Sequence, residues 1–331
     1  MRLARAPLIG EPNNLCDFLA AGIAEEYLRR DPNSRIRCSV SGGRGALFVT
    51  GEYVSEADFD ISLLVRRLLG TCGVYDDFEI FVSLEPAVGE SVGRLRQSCE
   101  FPTLINGYAA KETPDYLPGP VYWSKKIAGL LDDKRRHDPD WFWLGASGDV
   151  SVISKNNKDL EVVISVDHGT QPLDQVRGWL ERIMDDLKAG CEIKIKINPL
   201  GARENTGLGF SMGRSGGLYF PYGYSLPSTA YSGADWHSSG VYGYFLARFL
   251  AMQVLKQSSS QAVMIELLFL PGDVLPAVIK ARDERGRDLS QSMLEGDDFY
   301  MQKIRQWQSA NCLLDSIKTR SGLAPSLPWE N

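Results

Sequence analysis

The stretch "RIRCSVSGGRGALFVTGEYV", residues 35–54, decides the architecture. RIRCSV and ALFVTGEYV alternate and carry β-branched and aromatic side chains around the Gly-rich turn SGGRG at 41–45, which reads as a β-hairpin. FDISLLVRRLLG (59–70) follows with Ile61, Leu64, Val65 and Leu68 at helical spacing, and FEIFVSL (78–84) alternates again as a strand. The same order recurs downstream. DVSVIS (149–154) and LEVVISV (160–166) flank KNNKD, and LDQVRGWLERIMDDLKAG (173–190) places Leu173, Val176, Leu180, Ile183, Met184 and Leu187 on one helical face. EIKIKI (192–197) is the next strand. A third round opens with AVMIELLF (262–269) and PAVIKA (276–281), with helical segments from about residue 288. A strand–strand–helix unit therefore appears three times at intervals of about 110 residues. The expected fold class is α+β, with three pseudo-repeated lobes of mixed sheet backed by helices. The lobes are expected at 1–112, 113–225 and 226–331, interleaved rather than cleanly sequential.

Ahead of the first hairpin, residues 14–30 repeat apolar groups at Leu15, Phe18, Leu19 and Ile23 as a helix, with Asn13 or Asn14 expected as its cap. Two long Gly-rich stretches, 198–225 and 227–240, exceed ordinary connectors and are expected to serve function.

Composition excludes several classes. The 331 residues are 44% apolar and 24% charged with net charge −6, an ordinary globular balance. Lysine and arginine are scattered, so no basic stripe for nucleic acid exists. No apolar run is long enough to span a membrane, and "MRLARAPLIG" has no secretory h-region. The six cysteines (16, 38, 72, 99, 191 and 312) form no C-x-x-C pair, which points to reduced thiols and a cytoplasmic location. The run DDKRRHDPD, containing His137, reads as a solvated surface, and the tryptophans of DWFWLG as core or interface packing.

Several short motifs, in order, resemble those of the S-adenosylmethionine synthetases (methionine adenosyltransferases). GEPNNLCD (10–17) is similar to the family's Gly-His-Pro-Asp-Lys-[Ile/Leu]-Cys-Asp opening, and GGRGALFVTGEY (42–53) to its Lys-Thr-Gly…Gly-Glu strand pair. NGYAAKETPDYLP (106–118), VVISVDH (162–168), INPLG (197–201), AYSGAD (230–235) and LPWE (327–330) resemble further family segments. The resemblance runs from residue 10 to residue 330 and implies three pseudo-repeated α+β lobes, in agreement with the repeat read from periodicity. It also implies ATP and methionine bound between two subunits, a histidine and lysines on the triphosphate, and carboxylates on two magnesium ions.

The positions that would carry this chemistry depart from the family. The opening His is Glu11, the magnesium-binding Asp is Asn13, and the following Lys is Asn14. Ser39, Ala87, Ser215, Ala234, Ser238 and Gly240 stand where charged or amide groups are expected, and CEFPTL (99–104) replaces Gly-Asp-Gln-Gly. Glu52, Arg214 and Asp235 keep their type. The candidate acid/base groups are thus Glu11, Asp235 and His237. The candidate substrate-binding groups are Glu52, Arg203, Arg214, Arg44 and Asn13. No metal ligand is assigned, the cofactor is unknown, and magnesium is expected only if ATP binds.

Three functions are compatible with this pattern. The first is a subunit of a hetero-oligomeric methionine adenosyltransferase, joined to a paralogous synthetase chain through a sheet-face interface. The second is a homo-oligomeric enzyme with new chemistry on an adenosyl, sulfonium or amino-acid ligand. The third is a non-catalytic binding module. None needs nucleic acid or a membrane, and synthesis of S-adenosylmethionine by this chain alone is not expected.

Overall fold

The computed structural model describes residues 2–156, 159–187, 192–204, 233–293, 296–323 and 327–328. In chain order the elements are β1 (Arg2–Pro7), α1 (Pro12–Arg30), β2 (Arg35–Gly43), β3 (Ala46–Val54), α2 (Ile61–Thr71), β4 (Glu79–Pro86), α3 (Glu90–Leu95), β5 (Thr103–Ala110) and α4 (Gly119–His137). They continue with β6 (Gly148–Asn156), β7 (Asp159–Val166), α5 (Leu173–Asp186), β8 (Glu192–Ile197), α6 (Ser239–Gln257), β9 (Ala262–Phe269), β10 (Val278–Asp283), α7 (Asp297–Ala310) and α8 (Leu313–Lys318).

The strands form three sheets, in the orders β2-β3-β4, β1-β6-β7-β8 and β10-β9-β5. In the first, the β2–β3 hairpin is antiparallel and α2 crosses over to bring β4 parallel to β3. The second repeats this, with β6 and β7 antiparallel and β8 parallel to β7. In the third, β9 and β10 form the hairpin and β5 takes the remaining edge, antiparallel to β9. This is the α+β architecture the repeat pattern predicts. The parallel third strand requires a helical crossover, and α2 and α5 supply it with one apolar face each.

Each sheet is backed by one helix of 19 residues: α1 on β2, α4 on β1 and β6, and α6 on β5 and β9. Only the first of these three is evident from periodicity. α6 is buried on nearly every side, from Val241 through Leu255, so its sequence lacks an apolar stripe. α4 contradicts the reading of its last turns as solvated. Asp132 is fully buried, accepting from the Ile9 amide at 2.8 Å and from Arg135 Nη2 at 2.9 Å. His137 does stand exposed, with Nδ1 2.9 Å from Asp133. The cap of α1 also differs from expectation. It is Glu11, not an asparagine, and the helix begins at Pro12, whose missing N–H costs nothing at a first helical position.

Helix α1 also anchors the C-terminal region. Asp17 accepts from Arg320 Nη1 at 2.6 Å inside the core, and Glu25 accepts from the Leu314 amide at the start of α8 at 2.9 Å. Burial raises the Glu25 carboxyl from its ordinary value to about 7. Between pH 4.5 and 7 the folded chain therefore binds a proton that the unfolded chain has released, so stability falls as pH rises through that window. Glu25→Gln keeps an acceptor for Leu314 without the charge. It is expected to stabilise the chain by roughly 2–3 kcal/mol at pH 8 and by less than about 1 kcal/mol at pH 5, read from urea unfolding.

The cysteines at 16, 38, 72 and 99 are buried and Cys312 is partly buried, with no disulfide among the described residues; Cys191 lies outside the described residues. Among the described residues no helix is long and apolar enough to cross a membrane.

Candidate functional site

The opening segment is held before it becomes a helix. Leu8 N donates to Gly148 O, and Gly10 N donates to Ala146 O at 3.0 Å. A Cβ on Gly10 would lie 2.7 Å from that of Ala146, so only glycine fits this approach. The chain then turns at Glu11. Its carboxylate accepts from Asn14 N at 2.9 Å and from Asn13 Nδ2 at 3.3 Å, with Arg5 Nη2 at 3.4 Å. Arg5 also reaches Asp149 at 3.5 Å. An α-helix N-terminus is a natural anion site because its first amides are unpaired and the macrodipole is positive there. In this chain the anion is the protein's own carboxylate. Candidates Glu11 and Asn13 thus contact each other and serve the helix terminus. Replacing Glu11 with Ala is expected to cost about 1 kcal/mol in urea unfolding, and Glu11→Gln less, because an acceptor remains.

A second cluster adjoins the first through the turn at 145–148. Gly145 N donates to Asp167 O, and Asp167 N to Ser147 O. Arg203 Nε donates to Asp167 Oδ1 at 2.9 Å, while Arg203 N donates to His168 Nε2 at 3.1 Å. Burial pushes the Asp167 carboxyl up, opposed by the Arg203 charge. The Nδ1 of fully buried His168 meets no partner among the described residues. Arg203, a candidate anion holder, is therefore already paired with a carboxylate of its own chain. Arg214 lies outside the described residues.

The third cluster lies on the first sheet. Residues 233–235 run along the free edge of β2. Ala234 bridges Arg37, and Cys38 N donates to Gly233 O at 2.8 Å. Gly233 has φ +81°, and a Cβ there would fall 2.1 Å from Cys38 O, so the close approach demands glycine. Asp235 is buried and fully engaged. Its Oδ2 accepts from Ile36 N at 2.8 Å, and its Oδ1 accepts from His237 N at 2.8 Å. His237 Nδ1 sits 3.0 Å from the same Oδ1. A carboxylate only accepts, so Nδ1 carries a proton, and in the neutral ring Nε2 is the acceptor. The sequence spacing suggested this pair, and the fold brings it together.

Glu52 lies across β2 from that segment. Arg37 is its register partner on β2 and Glu85 on β4. Two strand spacings separate Glu52 from Ala234, roughly 10 Å. The Arg37 guanidinium turns to Glu100 and so leaves the two exposed carboxylates of Glu52 and Glu85 uncompensated on this row. The next row along the same outer face holds Ser39, Thr50 and Ser83, with the Ser39 and Thr50 hydroxyls 3.1 Å apart. Beyond it, Phe48 and Phe81 stack with centroids 5.1 Å apart, each 44% exposed. Arg44 is at the exposed hairpin tip with φ 45° and joins no cluster.

Arg5, Arg37, Asp132 and Glu100 escaped the sequence reading. Their roles come from contacts spanning about 60 to 145 positions, and no local spacing signals them. The donor set also bears on magnesium. Among the described residues no three acidic, histidine or cysteine side chains converge as metal ligands.

No protein-family model matches the chain. It is 26% identical over 319 residues to an S-adenosylmethionine synthase of Prochlorococcus marinus (strain MIT 9211), covering 82% of this chain and 77% of the relative. Over 207 residues it is 27% identical to the S-adenosylmethionine synthase of Synechococcus sp. (strain CC9605), covering 54% and 50% respectively. Among solved structures, an unusual S-adenosylmethionine synthetase from Campylobacter jejuni superposes with a TM-score of 0.77 at 18% identity, over 99% of this chain and 96% of that one.

Proposed function

We propose that this chain, a divergent S-adenosylmethionine synthetase-like protein, is a subunit of a mixed assembly in which a second, paralogous chain supplies the triphosphate-binding groups for adenosyl transfer to methionine. The observation that carries this reading is Glu11. Its carboxylate fills the amino terminus of α1, where the opening motif of the resembled family puts cations against phosphate. A triphosphate brought there meets like charge instead of a donor. Glu52 keeps its type on the exposed face of β3, which suits contact with the ammonium of an amino acid. Phe48 and Phe81 form an apolar, solvent-facing stack on the outer face of this sheet in the single chain, which suits a sheet-face interface.

Native mass spectrometry of the protein isolated from its own organism tests this. A mixed complex with a chain that retains the Gly-His-Pro-Asp-Lys opening supports it, together with activity that appears only on co-expression. A homo-oligomer with no such partner overturns it.

A second reading is favoured by the Asp235–His237 pair. An imidazole oriented by a buried carboxylate, with no partner on Nε2 among the described residues and the side chain about one-third exposed, is the arrangement of a general base. In that reading a homo-oligomer acts on an adenosyl, sulfonium or amino-acid ligand without triphosphate chemistry. A small molecule that co-purifies and is turned over by the wild type, but not by His237→Ala, would select it over the mixed assembly.

A further inference from the structure

A cleft on the helix side of the second sheet, away from the outer sheet faces, belongs to none of the three clusters. It encloses about 340 Å³ between the end of α4, the turn at 139–141 and α5, a volume suited to a small ligand. Three indoles form one wall: Trp141 and Trp143 have centroids 5.0 Å apart, and Trp143 and Trp179 also 5.0 Å, with interplanar angles of 36° and 31°. Trp141 and Trp143 are rooted in the core beneath, whereas Trp179 is only partly covered. Around this wall stand Lys134, Arg182 and Asp140. Lys134 leans on Asp138 at 2.9 Å and keeps ammonium protons to spare. The exposed Arg182 guanidinium and the Asp140 carboxylate enter no hydrogen bond or ion pair among the described residues.

We propose that this cleft binds a planar aromatic anion, a ring carrying a phosphate or carboxylate group. The partly exposed Trp179 indole, backed by Trp143 and Trp141, selects a ring, because indoles stack on π-faces at low entropic cost. The sign of the charge follows from the rim. Asp138 already compensates Lys134, which leaves the Arg182 guanidinium as the unpaired cation of this rim among the described residues, and a cationic guest of the kind aromatic cages take would be repelled by it. Arg182 offers a planar fork matched to phosphate or carboxylate oxygens. Asp140 accepts from a ring amino group.

Calorimetric titration of the full chain with adenosine 5′-monophosphate and with 4-aminobenzoate tests the site and separates the two anion sources, with adenosine and aniline as neutral counterparts. The expected result is saturable binding of at least one anion, about tenfold or more tighter than its neutral counterpart. Arg182→Ala and Trp179→Ala are each expected to weaken it by about tenfold or more, and Phe142→Ala, 79% exposed beside the cleft and outside its lining, to leave it unchanged. If Trp179→Ala fails to fold, the exposed Arg182 variant decides alone. Two results overturn the proposal: no saturation by either anion in the millimolar range, or binding that survives Arg182→Ala, which would place the ligand elsewhere on the molecule.

Discussion

Purified as the sole chain, this protein is expected to form S-adenosylmethionine from ATP and methionine roughly three to six decades more slowly than a synthetase with the intact opening motif. Departure of a triphosphate needs positive groups where charge develops. In the opening motif, Glu11 and Asn14 stand where the resembled family puts cations and Asn13 where it puts a metal-binding carboxylate, and Ser215, Ala234 and Ser238 stand where further lysines are expected. A charge-assisted hydrogen bond contributes roughly 1.5–3 kcal/mol. Three such losses remove about 4–9 kcal/mol, and each 1.36 kcal/mol is about tenfold in rate. The Glu11 carboxylate adds repulsion at the helix terminus it already occupies. Single-turnover measurement with excess purified chain checks this. A rate within about tenfold of an intact synthetase would mean that other residues of this chain hold the triphosphate, and the need for a partner would disappear.

The second large effect concerns stability. Asp132→Ala is expected to destabilise the chain by about 3–5 kcal/mol in urea unfolding. Asp132 is buried completely, and its removal orphans the Ile9 amide and leaves the largely buried Arg135 guanidinium without its counter-charge, held only by Cys72 O among the described residues. The charge pair is not in itself a net gain. Desolvation pushes the Asp132 carboxyl up even with Arg135 beside it. The cost therefore arises from what is left unpaired. It follows that Asp132→Asn, which keeps an acceptor for Ile9, should cost less than Asp132→Ala. Joint replacement of Asp132 by Leu and Arg135 by Met should also cost less than Asp132→Ala alone. If the double variant were the worse one, the orphaned-group account would fail. Because Ile9 leads directly into Glu11, loss of Asp132 is also expected to loosen the entry to α1.

Much of the fold is legible in the sequence because its strands and crossover helices are half-buried. Alternation over 35–40 and 192–197, and the stripe Leu173, Val176, Leu180, reflect elements with one face on the core and one outside it. Strand β1 at Arg2–Pro7 and helix α6 gave no such signal. β1 is a short edge strand whose partner β6 lies about 150 residues away, and α6 is covered on all sides. In the candidate site, the resemblance identified Glu11, Glu52 and Asp235 as positions of interest. It could not distinguish a carboxylate that awaits a ligand from one that caps a helix.

Periodicity thus determined the three repeated lobes and their α+β class, since amphipathic patterning is a local record of burial. The identity of residues 11, 13 and 14 determined that the opening motif lacks its cations. The tertiary structure alone decided what each remaining charge does. Glu11 closes the terminus of α1, Arg203 is taken up by Asp167, and Asp235 fastens His237 and the 233–237 segment to β2. The physical reason is range. Hydrogen bonds and ion pairs act over a few ångströms, and which groups come that close is set by chain segments far apart in sequence.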